Sequence, residues 1–134
     1  MTNNLIPLIA LLIGLVGCSS RPQFPWSLEG KAIPAYSIVN KEDLSITGSV
    51  TYSISVVVSE TSSKEDLTLV SQKVIESLPK HNLVTIFYYS DAESVKGDFT
   101  VGKAWWGVDD EKHFPAPGDY SHHVLKVERK SKSS

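Results

Sequence analysis

The sequence predicts an α+β domain: a mixed sheet of four or five strands in the order β-β-α-β-β, with one helix packed on one face. Three observations predict it. Residues 46–58, "ITGSVTYSISVVV", place Ile46, Val50, Tyr52, Ile54, Val56 and Val58 on one side and Thr47, Ser49, Thr51, Ser53 and Ser55 on the other, the period-two pattern of a half-buried strand. Residues 67–78 then change period. Leu67, Val70, Val74 and Leu78 follow steps of three and four, with Ser71 and Ile75 beside them. Residues 83–89, "LVTIFYY", are apolar on both sides, as a central strand is.

The other elements follow in chain order. Residues 19–35 hold Pro22, Pro25 and Pro34 with little periodicity, which predicts an extended tether with Trp26 docked on the domain edge. Residues 36–40 read as a first strand, and Gly48 as a bulge in the second. Ser62 with Glu65, or Ser63 with Asp66, suits a capping box, and Pro79 ends the helix. Residues 99–108 read as a strand, "DDEKHFPAPGDYSHH", 109–123, as a polar loop, and "HVLKVE", 123–128, as a short edge strand. The helix joins strands 46–58 and 83–89, so the two run parallel with a right-handed crossover, while the outer strands pair as hairpins. One helix covers one face. The Ser/Thr side of 46–58 marks the face left wet.

Composition narrows the class. Thirteen basic and fifteen acidic residues give a formal charge of −2, which leaves no footprint for nucleic acid. All of them lie beyond residue 17, where enough chain remains for one domain. The single cysteine, Cys18, excludes an internal disulfide, so the fold must hold by its core. The expected organisation is 1–17 as a signal segment, 18–35 as a tether, 36–128 as the domain and 129–134 as a disordered basic tail.

A lone cysteine is most often a small buried hydrophobe. Cys18 instead follows "LIPLIALLIGLV", an uncharged run of twelve residues. Twelve helical residues cover roughly 18 Å, short of a hydrocarbon core of about 30 Å. The run has the length of a signal-peptide apolar region, with small Gly17 at the cleavage point. Leu15-Val16-Gly17-Cys18 resembles the lipobox of bacterial lipoproteins. The resemblance implies a diacylglyceryl group on the Cys18 sulfur, cleavage before Cys18 and acylation of the new amine. The "MTNN" that precedes the run has no Lys or Arg. Ser19 resembles the residue that sends such proteins to the outer membrane of a Gram-negative host. The alternative is an uncleaved N-terminal anchor, and both readings place the domain outside the cytoplasm. Residues 36–108 are also similar to a group of small bacterial and phage proteins, often lipoproteins, through "SSKEDL" (62–67), "IFYY" (86–89) and "GKAWW" (102–106). That likeness implies a fold and no activity.

Candidate chemistry is sparse. Trp105 and Trp106 are adjacent on a strand and face opposite ways. Trp106 shares a side with Ala104 and Val108 and is expected in the core. Trp105 shares a side with Lys103 and Val101 and is the candidate contact, with Lys103 beside it. Packing of Trp105 across the strands on Tyr88 or Tyr89 is the alternative. His113, His122 and His123 lie near Asp109, Asp110, Glu111 and Asp119, residue types that suit a metal. Adjacent histidines on an extended chain point apart, so a solvated loop without metal is expected. No Gly-x-Ser-x-Gly elbow, phosphate loop or dinucleotide fingerprint occurs, and no catalytic residue or cofactor is expected. Lys126, Arg129, Lys130 and Lys132 outnumber Glu128 near the C-terminus, a solvated tail or one that touches anionic lipid. The expectation is a membrane-anchored envelope lipoprotein that binds an envelope protein or glycan. The alternatives are an envelope hydrolase or metal-dependent enzyme using the 109–123 loop, and a phage- or plasmid-borne exclusion lipoprotein.

Overall fold

A computed structural model describes residues 24–110 and 114–131. The apolar run, the Leu15–Cys18 motif, Ser19, Glu111, His113 and Lys132 lie outside the described residues. Five strands form one sheet whose spatial order is the chain order: β1 Tyr36–Asp43, β2 Thr51–Val58, β3 Leu83–Tyr89, β4 Gly102–Val108 and β5 His123–Arg129. A single helix, α1 (Lys64–Ser77), links β2 to β3, which pair in parallel, and every other pair is antiparallel. The α+β class stands, with five strands and β3 at the centre. No helix among the described residues is long and apolar enough to cross a membrane.

Residues 51–58 carry the alternation that the sequence shows. Ile54 and Val56 are fully buried, and Tyr52 and Val58 nearly so. The strand is shorter than 46–58, because Gly48 takes φ +83° and turns the chain. Ile46 and Ser49 exchange both backbone hydrogen bonds, at 3.0 and 2.9 Å, and close a tight turn at Thr47-Gly48. Such a turn needs positive φ at its third residue, a conformation glycine adopts without a Cβ clash. The irregularity in this ladder lies instead in β1, between Ile38 and Asn40.

Of the two capping boxes, the helix uses Ser63 with Asp66. The Ser63 hydroxyl accepts the Asp66 N–H at 3.1 Å, and the Asp66 carboxylate accepts the Ser63 N–H at 3.0 Å. Leu67, Val70, Ser71, Val74 and Ile75 form its buried stripe. Ser71 is tolerated there because its hydroxyl donates to the Leu67 carbonyl and bonds the Tyr88 phenol on β3. Burial holds that phenol's pKa well above the usual tyrosine range. Leu78 is extended, as a residue before proline must be, and the helix stops.

Two expected boundaries move. From Phe24 onward the proline-rich segment packs on the domain, with Phe24, Trp26 and Ile33 against the core. Phe24 stacks on Tyr120 at 4.7 Å and on Trp26 at 5.0 Å, and Trp26 meets Trp106 edge-on at 4.8 Å. Lys31 and Ala32 then border α1 at Glu65, Thr68 and Leu69. The segment is a strap beside the helix. At the other terminus Arg129 closes β5 rather than opening a solvated tail. Its guanidinium donates to the Ser62, Glu60 and Val101 carbonyls at 2.7, 2.7 and 2.8 Å. Lys130 follows it, giving its backbone N–H to Val101 and its ammonium to the Phe99 carbonyl. These carbonyls lie in the β2–α1 loop and just before β4, outside the regular elements, and charge-assisted donors satisfy them.

The strap is a core component, so Phe24→Ala with Trp26→Ala should lower unfolding free energy by about 3–6 kcal/mol, from the usual cost of truncating packed aromatics. Urea denaturation checks this. A passive tether would leave the midpoint unchanged.

Candidate functional site

The sheet face away from α1 carries the candidate contact. Register sets two rows across it. Thr85, Trp105 and Lys126 lie side by side on β3, β4 and β5, and Phe87, Lys103 and Glu128 form the next row. Trp106 is 1% exposed on the helix side, while Trp105 is half-buried on the open side, as strand alternation requires. The expected packing partners of Trp105, Tyr88 and Tyr89, are not its neighbours. Tyr88 is buried at the Ser71 hydroxyl of α1. Val101 does not share the open side with Lys103 either, because it precedes β4 and packs into the core.

Gly107 explains how Trp105 sits. A Cβ there would lie 2.9 Å from two atoms, one in the Trp105 indole and one in the Leu83 side chain. The absent side chain lets the indole lie down across β4. Lys126 places its ammonium 5.2 Å from the Trp105 ring centre and 3.0 Å from the Asp109 carboxylate. Lys103 lies 3.7 Å from Glu128 and 5.7 Å from the Phe99 ring centre. These ion pairs are exposed and contribute at most about 1 kcal/mol each to stability. The larger effect of the Lys126–Asp109 pair is to hold one ammonium group over the indole. Trp105 separates two shallow clefts. One, of ≈ 310 Å³, is lined by Leu83, Gly107, Phe114 and Pro115, and the other, of ≈ 390 Å³, by Thr85, Phe87, Lys103 and Glu128. No sequence motif marks Gly107, and Asp109 stands out in the sequence only beside the histidines, not as the partner of Lys126. The available signal was a small residue two places after an aromatic, on the same side of a strand.

The histidines do something other than coat a loop. His123 heads β5 and is 7% exposed, while its neighbour His122 is exposed. His81, which no motif marks, is fully buried after the Pro79 turn. The His81 Nδ1–H donates to the Pro79 carbonyl at 2.8 Å, and the His123 Nε2–H donates to the Asn82 carbonyl at 2.7 Å. Each ring's other nitrogen is buried and without a protein hydrogen-bond partner, an arrangement that favours the neutral form. Tyr120 meets the His81 ring at a tilt at 4.9 Å and the His123 ring edge-on at 5.2 Å, and Trp106 lies 4.9 Å from His123. Burial lowers both histidine pKa values. The Pro79 carbonyl opposes the shift at His81, and His123 adds to it. At His123 the Asn82 carbonyl and then Asp119 oppose it. Burial also raises the Tyr120 phenol. Among the described residues no group of three or more His, Cys, Asp or Glu side chains is placed to hold a metal ion.

Comparison with known proteins adds no relative: no family model, curated protein or solved structure matches the chain.

The buried histidines give a signed pH dependence. Their folded pKa values lie below the ordinary 6.5, so the unfolded chain takes up protons first. Stability should be complete above about pH 6.5 and fall as pH drops below it. His81→Asn and His123→Gln keep the N–H that each ring donates and remove the titrating nitrogen. Together they should flatten the melting temperature between pH 7.5 and 5. An unchanged slope in the double variant would exclude these two groups as its source.

Proposed function

We propose that this chain is a lipid-anchored protein of the bacterial cell envelope. Its domain is a binding module that meets an envelope protein through the open sheet face around Trp105. The lipidated residue is Cys18, on the strength of its sequence motif. The observation that supports the binding surface is the position of Trp105. A large aromatic side chain lies half-exposed between two clefts, on the face away from α1, and is flanked by Lys103–Glu128 and Lys126–Asp109. Protein interfaces share this anatomy: an aromatic anchor at the centre and a polar rim that gives orientation. The 109–123 loop gives the enzyme alternative little support, since His123 is buried with its Nε2–H held by Asn82.

In-cell crosslinking with mass spectrometry tests both halves of the proposal. Wild type should carry the diacylglyceryl mass at Cys18, fractionate with membranes and trap one envelope protein. Cys18→Ser should lose the membrane fraction. Trp105→Ser should stay anchored and lose the partner by about tenfold or more, the usual effect of removing a tryptophan anchor. If Cys18→Ser fractionates like wild type, the anchor assignment fails. If Trp105→Ser traps the same protein equally well, the face assignment fails. If wild type traps no protein while soluble glycan fragments shift Trp105 fluorescence, the partner is a glycan.

A further inference from the structure

One end of the sheet gathers the last residue of β1, the first residues of β2, β3 and β5, and the last of β4. Three large apolar side chains stand in water there: Leu44 is 54% exposed, Ile46 76% and Phe114 89%. None of them belongs to the core cluster. Leu44 and Ile46 lie on the β1–β2 hairpin as it projects past the sheet, where the Leu44 N–H still bonds the Thr51 carbonyl at 2.9 Å. Phe114 borders the same cleft as Gly48 and Ser49 at the hairpin tip, so the two loops are neighbours. The described chain also begins at this end, because Phe24 stacks on Tyr120, three residues before β5.

We propose that this end of the domain faces the lipid bilayer, with Leu44, Ile46 and Phe114 entering the boundary between headgroups and acyl chains. The orientation rests on the reading of Cys18 as the lipidated residue. Phe24 follows Cys18 by six residues. Six extended residues reach at most about 20–22 Å. The strands are seven or eight residues long, and at about 3.3 Å per residue the sheet is about 23–26 Å tall. The leash is therefore too short to run the length of the sheet and present its opposite end. Charge does not drive the contact. Asp43, Asp109, Asp110 and Asp119 lie at this end against Lys80 and Lys126, which pairs with Asp109, still an acidic surplus among these residues. The attraction is apolar, needs no anionic lipid and resists salt.

The test uses the full chain as the cell processes it, isolated and reconstituted with phosphatidylcholine vesicles. Ile46→Cys, Phe114→Cys and Lys96→Cys each carry an environment-sensitive dye, with and without a lipid-borne quencher. Lys96 closes the short 3₁₀ turn Glu93–Lys96 at the opposite end and is exposed. Labels at 46 and 114 should be quenched several-fold more than the label at 96, equally at low and high salt. Equal quenching at all three positions overturns the orientation, as does a blue shift at 46 and 114 without lipid quenching, which would mean that protein covers them. The mass of the same sample separates the two failures. An unmodified Cys18 overturns the anchor and the orientation together, while a modified Cys18 with an unquenched 46 and 114 overturns the orientation alone.

Discussion

Among the described residues, one fourteen-residue helix has to keep one apolar face of a five-stranded sheet from water, and the helix is too narrow. Five strands spaced about 4.8 Å apart put the outer axes about 19 Å from each other. A helix with its side chains is about 10–12 Å across. The remainder is closed by residues outside the regular elements: Phe24, Trp26 and Ile33 from the strap, and Tyr120 from the loop before β5. They meet over Trp106, which is why so many rings converge there. With no second cysteine to bridge the loops, aromatic area rather than a disulfide ties them to the sheet.

The same shortage of cover leaves the other face open. Thr51 and Ser53 suit it because their hydroxyls tolerate partial hydration, Ser55 is buried further along the same strand, and Leu83, Thr85 and Phe87 are half-buried by their neighbours alone. Trp105 lies on this face because Gly107 makes room for it. The ion pairs around it keep the surface from being a bare apolar patch. The polar seam buried beneath α1 is small and closed on itself: Ser71, Tyr88 and the Leu67 carbonyl satisfy one another. Nothing there competes for a ligand.

The regular frame could be read from local pattern. Alternation over Thr51–Val58, the stripe from Leu67 to Ile75 and the two-sided apolar run at 83–89 each reflect a face buried against one neighbour, so period alone reveals them. What could not be read depends on tertiary meetings. Ile46 and Val50 fall on the same parity as the buried residues, but the positive φ of Gly48 turns the chain before the alternation can continue. Phe24 and Trp26 sit among prolines and have no period, yet their rings find Tyr120 and Trp106 from far along the chain. His81 and His123 look like surface residues because they flank a proline turn and a polar loop. Only the Pro79 and Asn82 carbonyls, one per ring, make them tolerable inside. Arg129 belongs by composition to a basic tail and by geometry to the carbonyls of Glu60, Ser62 and Val101. At Trp105 the sequence shows the exposed ring and the face it shares with Lys103, but not the glycine beneath it.

The strap also decides how the domain carries load. Its first described residue is held at the Tyr120 end, and its last stretch lies beside the N-terminal half of α1 before the chain enters β1 at Tyr36. Tension applied through the residues before Phe24, and directed away from that end, acts along the strap rather than across it. The contacts of Phe24, Trp26 and Ile33 are then sheared together instead of being peeled one after another. Force reaches the hydrogen-bonded ladder only through Tyr36, opposite Val58 at the far end of β1. A domain hung by this terminus is held in its stiff direction, and the sheet is the last part to feel the pull.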